Sequence, residues 1–133
     1  MKYDEFLKQQ EKIKKRHIPR HIESSIQKQL VTWFRYHYPQ YIIAAIPNGG
    51  FRNAREAKYM KEEGVLAGFS DLIMIAKGSV LFVEVKTPEG MQSEKQKIFQ
   101  AKIDSLGFRY CICHSLKEFI VITKKWIEKD CKV

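Results

Sequence analysis

Residues 70–90 read SDLIMIAKGSVLFVEVKTPEG, and the way this stretch folds back on itself organises the rest of the chain. Two apolar, β-branched runs meet at Lys77-Gly78-Ser79, a hairpin signal in which glycine supplies the backbone freedom of a tight turn. Charged side chains are almost never buried unless paired, yet Asp71 opens the first run and Glu84 and Lys86 close the second. Side chains two apart on a strand share a face, so Glu84 and Lys86 emerge together where the apolar strand ends. With Lys77 and Gly78 as the loop, Asp71 stands directly opposite Glu84. A four-residue loop keeps that pairing, and a loop at Gly78-Ser79 sets Asp71 opposite Lys86 with Glu84 still on the same face. A three-residue loop would send the two acids to opposite faces.

Directly opposed side chains in an antiparallel pair have Cβ atoms about 4.5–5.5 Å apart, and like charges there repel. Something positive has to sit between Asp71 and Glu84. Two acids and an ammonium on one face suit a hard divalent cation with oxygen ligands, Mg²⁺ or Mn²⁺. Such an ion polarises a phosphoryl oxygen and lowers the pKa of a bound water, while an adjacent ammonium steadies the attacking hydroxide or the developing phosphorane charge. That is the chemistry of phosphodiester hydrolysis. A cross-strand ion pair made by Lys86 would account for the same residues without chemistry.

Outward from the hairpin, helical and extended patterns alternate. Residues 1–19 are mostly charged and contain the basic cluster KIKKRHIPRH; they read as an arm or short helix that ends at Pro19. Ile22, Ile26, Leu30, Trp33 and His37 then form the apolar stripe of a helix over 20–38, closed by Pro39. YIIAAI (41–46) predicts a strand, PNGG (47–50) a turn, and 53–63 a polar helix stopped by Gly64. Beyond the hairpin come a helix over 93–106 closed by Gly107, a strand in FRYCICH, and a helix over 115–130 with Leu116, Phe119, Ile120, Thr123, Trp126 and Ile127 on one face. The pattern predicts an α/β domain over residues 20–133, with helices flanking a central mixed sheet.

Composition narrows the partner. The chain has 133 residues, 44% hydrophobic, enough for one core. Its 24 Lys and Arg against 15 Asp and Glu give a net charge of +9, which suits a polyanion such as nucleic acid. No apolar run approaches the roughly 18–20 residues that cross a bilayer, and the N-terminus lacks a signal-peptide core, so a reducing cytoplasm is expected. Cys111, Cys113 and Cys131 show no zinc-ligand spacing and read as buried, reduced thiols. His17, His21, His37 and His114 fit no metal or HNH pattern.

Taken in order, GVLAGFSDLIMI, VLFVEVKTPEGMQSEKQKIF and LGFRYCICHS resemble the virus-type replication-repair nuclease (VRR-NUC) domain, a branch of the PD-(D/E)xK superfamily, over roughly residues 20–115. The matching series is Gly68, Asp71 and Leu72, then Glu84, Val85 and Lys86, then Ser93 and Gln96. Ser70 stands where the superfamily's name expects proline, a position that shapes the backbone and holds no ligand. The resemblance implies a restriction-endonuclease-like core in which Asp71, Glu84 and the Val85 carbonyl hold the metal and Lys86 is the catalytic ammonium. It also implies that Glu23, an acid on the first helix, reaches the metal directly or through water, and that Gln96 lies near Lys86. Each has a plainer reading: Glu23 as a first-turn glutamate favoured by the helix dipole, Ser93 and Gln96 as a capping box.

Asn48, Arg52 and Arg55 in PNGGFRNAR, with Ser93, are candidate phosphate contacts beside the cleft, unless they form only a turn and a solvated helix face. Lys14, Lys15 and Arg16 would add non-specific electrostatic affinity, or else belong to a solvated arm. Stand-alone members of the family resemble Holliday-junction resolvases and act as homodimers; the related domain of the Fanconi-associated nuclease acts on flapped and branched intermediates. The expectation is a Mg²⁺- or Mn²⁺-dependent, junction-cutting homodimer acting on branched DNA, in a bacterial or phage-infected cell. Flap-processing or restriction-like cleavage, and DNA binding without catalysis, are the competing readings.

Overall fold

A computed structural model describes residues 2–47 and 53–131, with the side chains of residues 9–21 left out of account. The chain begins with one long helix, α1 (Tyr3–His37), and continues through β1 (Ile42–Ala45), α2 (Ala54–Glu62), β2 (Leu72–Ala76), β3 (Ser79–Val85), α3 (Glu94–Ser105), β4 (Arg109–Cys113) and α4 (Leu116–Asp130). The expected break at Pro19 is absent, because α1 passes straight through it. An internal proline removes one backbone hydrogen bond. Here runs of Lys, Glu and Gln, all good helix formers, lie to either side of it. The remaining elements fall within a residue or two of their predicted spans.

The four strands lie in the order β1-β2-β3-β4. β1 pairs with β2 and β2 with β3 antiparallel, whereas β3 and β4 are parallel, a pairing that needs a crossover element between them; α3 is that element. Ala76 pairs with Ser79 and Leu72 with Val83, so the loop is Lys77-Gly78, with Gly78 at φ 78°. This is the register in which Asp71, one step beyond the ladder, meets Glu84.

Alternation divides the sheet into two apolar faces. Leu72, Met74, Leu81, Val83, Val85 and Cys113 pack against Leu30 and Phe34 of α1 and Phe119 and Trp126 of α4. Phe34 and Phe119 are wholly buried, each worth about 1.5–3 kcal/mol relative to exposure. The Trp126 indole N–H donates to Ser79 Oγ at 2.9 Å, which ties α4 to the start of β3. On the opposite face, Phe82 of β3 packs with Phe99 and Ile103 of α3, helped by Phe69, Ile73 and Tyr110. Glu84 follows Phe82 by two residues and so belongs to this second face, under the N-terminal end of α3.

All three cysteines are free. Burial pushes the Cys111 thiol up to about 12 and that of Cys113 up to about 11, which keeps both in the unreactive thiol form. No helix among the described residues is long and apolar enough to cross a membrane.

Candidate active site

The site is built where β2 begins and β3 ends. Ser70 is fully buried, and its hydroxyl donates to the Leu72 carbonyl at 3.0 Å. It thereby shapes the turn into β2 by a hydrogen bond instead of a proline ring. Asp71 follows: its carbonyl accepts from Ile46 N–H at 2.8 Å, and its carboxylate oxygen Oδ2 accepts from Val85 N–H at 2.8 Å. The side chain therefore spans from β2 to the end of β3, beside Glu84.

Glu84 is only 2% exposed. Its Oε1 accepts from Gln96 Nε2 at 2.8 Å and lies 4.0 Å from Lys86 Nζ. Its Oε2 is buried and reached by no N–H donor; the group beside it is the Asp71 carboxyl. Burial, and after it the negative charge of Asp71 and a hydrogen bond between the two carboxyl groups, push the Glu84 carboxyl up to about 8, with Lys86 pulling the other way. Lys86 alone does not offset the cost of a buried acid with a second acid beside it. A buried carboxyl oxygen that no N–H donor reaches, beside a second carboxylate, fits a hard cation with oxygen ligands.

Gln96 serves two groups at once. Its side-chain Oε1 accepts from Ser93 N–H at 2.8 Å while Ser93 Oγ accepts from Gln96 N–H at 3.2 Å, a complete capping box. Because the oxygen must face the Ser93 N–H, the amide nitrogen is turned to Glu84. The two readings of Gln96, helix cap and site residue, describe one side chain with two ends. Gly68 lets α3 come this close: at φ 86° it is in the left-handed region, and a methyl group there would overlap the Lys95 carbonyl.

Residues 9–117 match the family model of the VRR-NUC domain. The chain belongs to the VRR-NUC domain family. A solved structure described as a VRR_NUC domain protein superposes on 82% of this chain and 90% of its own, with a TM-score of 0.66 at 22% sequence identity; it shares the fold, a nuclease-type mixed sheet flanked by helices. No curated protein matches the chain.

Other candidate residues take different places in this VRR-NUC domain. Glu23, half-buried on α1, lines a groove of about 430 Å³ that also reaches Asp71. Among the described residues no group of three Asp, Glu, His or Cys side chains is close enough to hold an ion, so Glu23 does not join Asp71 and Glu84 as a third direct side-chain ligand in this arrangement. Reach through a water is the version of its role that this geometry leaves open. Asn48 and Arg52 lie outside the described residues, and so do the side chains of Lys14, Lys15 and Arg16.

Arg55 is exposed, engaged with its own helix, and not among the residues that line the cleft. Its guanidinium donates to Tyr59 Oη at 3.4 Å and lies 5.6 Å from the Tyr59 ring centroid. The face of α2 that meets the site carries Ala54, Ala57, Lys58 and Lys61 instead. With Lys95 of α3, these two lysines are, among the described residues, the cationic groups of a cleft of about 720 Å³ that ends at Asp71 and Gln96. Their spacing was a usable signal: positions 54, 57, 58 and 61 form one helical stripe, small and basic where a core stripe would be apolar.

Proposed function

We propose that this VRR-NUC protein is a metal-dependent, structure-selective DNA endonuclease that cuts branched DNA, with the four-way junction as its preferred substrate. The observation that carries this reading is the convergence of Asp71, Glu84 and Lys86 at one sheet end, with a buried Glu84 oxygen that no N–H donor reaches. Asp71, Glu84 and the Val85 carbonyl would hold Mg²⁺ or Mn²⁺, with Glu23 in support. Such an ion would supply Lewis-acid activation of a phosphoryl oxygen and of the attacking water.

The chain's own residues supply the rest. Gln96 holds Glu84 in one rotamer by its amide N–H, so the acid does not have to be ordered when substrate arrives. Val85 N–H does the same for Asp71. Lys86, beside Glu84 and largely enclosed, places a positive charge where the incoming oxygen and the phosphorane would be negative. The net charge of +9 draws the polyanion in and makes binding depend steeply on salt. A homodimer would set two such sites against the two-fold symmetry of a junction, and the three unpaired thiols suit a reducing cytoplasm.

The test compares four-way junction, flapped and linear duplex substrates at equal concentration in Mg²⁺ or Mn²⁺, with binding measured in Ca²⁺. Lys86→Ala and Asp71→Ala should lower cleavage by orders of magnitude while junction binding survives. Undiminished cleavage by either variant would remove these residues from the chemistry. Equal cutting of linear duplex and junction would make the protein a general nuclease and not a resolvase.

A further inference from the structure

The cleft between α2 and α3 is not explained by folding. α2 buries none of its residues, and the stripe it turns to the cleft is Ala54, Ala57, Lys58 and Lys61. Two alanines leave space where leucines would have filled it, and two lysines stand on the same stripe. Across the gap, Lys95 contributes a third ammonium beside Ser93 and Gln96. None of the three lysines is held in an ion pair among the described residues. The wall between the two helices is apolar, formed by Val65, Ala67 and Phe69, and the cleft ends at Asp71.

A cavity with an apolar wall, a cationic rim and one end at a hydrolytic centre selects among polyanions. A phosphate alone would use the lysines and leave the apolar wall idle. A volume of about 720 Å³ is that of a pocket for a small-molecule-sized group. Base-paired DNA keeps its bases stacked and its flat faces covered, so it offers such a wall nothing. An unpaired nucleotide offers a sugar and an aromatic face to apolar side chains and its phosphates to lysines, the combination by which single strands are held.

Resting on the proposed nuclease reading, we infer that the cleft between α2 and α3 binds one or two unpaired nucleotides of the substrate strand next to the scissile phosphate. Lys58, Lys61 and Lys95 take their phosphates, and the Val65-Ala67-Phe69 wall takes the base. The substrate class is then DNA whose pairing is open beside the cut, as at a flap base, at a gap, or at the centre of a four-way junction opened on binding.

Binding of fluorescent oligonucleotides by the full chain, followed by anisotropy in Ca²⁺ over a range of salt, tests this without any cleavage. The probes are a single-stranded 20-mer, the matching duplex, and the duplex with a two-nucleotide gap. Ala57→Leu fills the cleft without changing charge; it should weaken the single-stranded and gapped probes about tenfold and the duplex less than twofold. Lys58→Ala/Lys61→Ala should weaken single-strand binding and lower its log–log salt slope by about 1.4, from roughly 0.7 per phosphate contact on single strands. The control is Lys124→Ala/Lys125→Ala, an exposed pair on α4, which should leave the preference for unpaired probes intact.

If Ala57→Leu, folded by circular dichroism, binds all three probes like the wild type, or if the α4 pair costs as much preference as the α2 pair, the cleft is not the strand's site. A wild type that binds with the expected preference yet never nicks DNA in Mg²⁺ or Mn²⁺ would instead sink the nuclease reading, and with it the place of these nucleotides beside a cut, while the cleft would stand as a site for unpaired strand.

Discussion

Gln96 sits between a structural and a chemical task, and substitutions can separate them. Ser93→Ala removes only the cap hydroxyl, so it should cost about 1 kcal/mol of stability by urea denaturation and change cleavage little. Gln96→Ala should cost a similar amount and also lower cleavage about tenfold, because Glu84 would then lose the hydrogen bond that orients Oε1. Equal activity of the two variants would leave Gln96 as a cap alone. At Glu84 the sign of the pH dependence is fixed by its raised carboxyl. In the ion-free protein the neutral form is favoured, so the contribution of Glu84 to stability is full below about pH 4.5 and declines as the pH rises through about 8. Glu84→Gln should therefore melt like the wild type near pH 4.5 and increasingly above it towards pH 8, read by thermal denaturation in EDTA. Because a metal ligand must be deprotonated, Mn²⁺ should bind the wild type more tightly as the pH rises over the same window, with proton release visible by calorimetry in two buffers. A binding enthalpy independent of the buffer would contradict that assignment of Glu84.

At the scale of elements, two glycines with positive φ make a controlled comparison. Gly64 has φ 106° and open space around it, whereas Gly68 at φ 86° faces the Lys95 carbonyl. Gly64→Ala should cost only the backbone term, about 1–2 kcal/mol. Gly68→Ala should cost more by denaturant titration and also push away the first turn of α3, with a loss of cleavage that persists well below its melting temperature. The hairpin was legible because Gly78 and the two β-branched runs leave few registers, and a register puts Asp71 and Glu84 on one face without any knowledge of the rest. The capping box was legible from Ser93 and Gln96 for the same local reason. Pro19 misled because a strong local rule about proline was set against a helix whose length comes from its neighbours on both sides. For α2 the difficulty is different: it is polar nearly all round, so which of its faces meets the site depends on where the sheet end lies. Lys58 and Lys61 were visible as a stripe, but a stripe of lysines says nothing of what it faces. Glu23 is the same problem at longer range, since the distance from α1 to the sheet end is set by tertiary packing.

For the whole molecule, the asymmetry between the two sheet faces governs how it fails. The face shared by α1 and α4 holds most of the buried apolar side chains, among them Phe34 and Phe119. Phe119→Ala should cost about 3–5 kcal/mol and lower the global melting temperature whether or not an ion is present. The face under α3 is closed by three buried residues, Phe82, Phe99 and Ile103, yet it is the one that carries Glu84 and its tie to Gln96. Segments with few buried apolar contacts open first, in cooperative units smaller than the whole. Warming should accordingly detach α3 while the long helix and its partner stay seated, which amide hydrogen exchange would record as earlier deuteration of residues 94–105 than of 116–130. Nuclease output would then vanish in a molecule whose helical circular dichroism is still nearly intact, and an ion clasped by Glu84 would act as a rivet that delays the detachment.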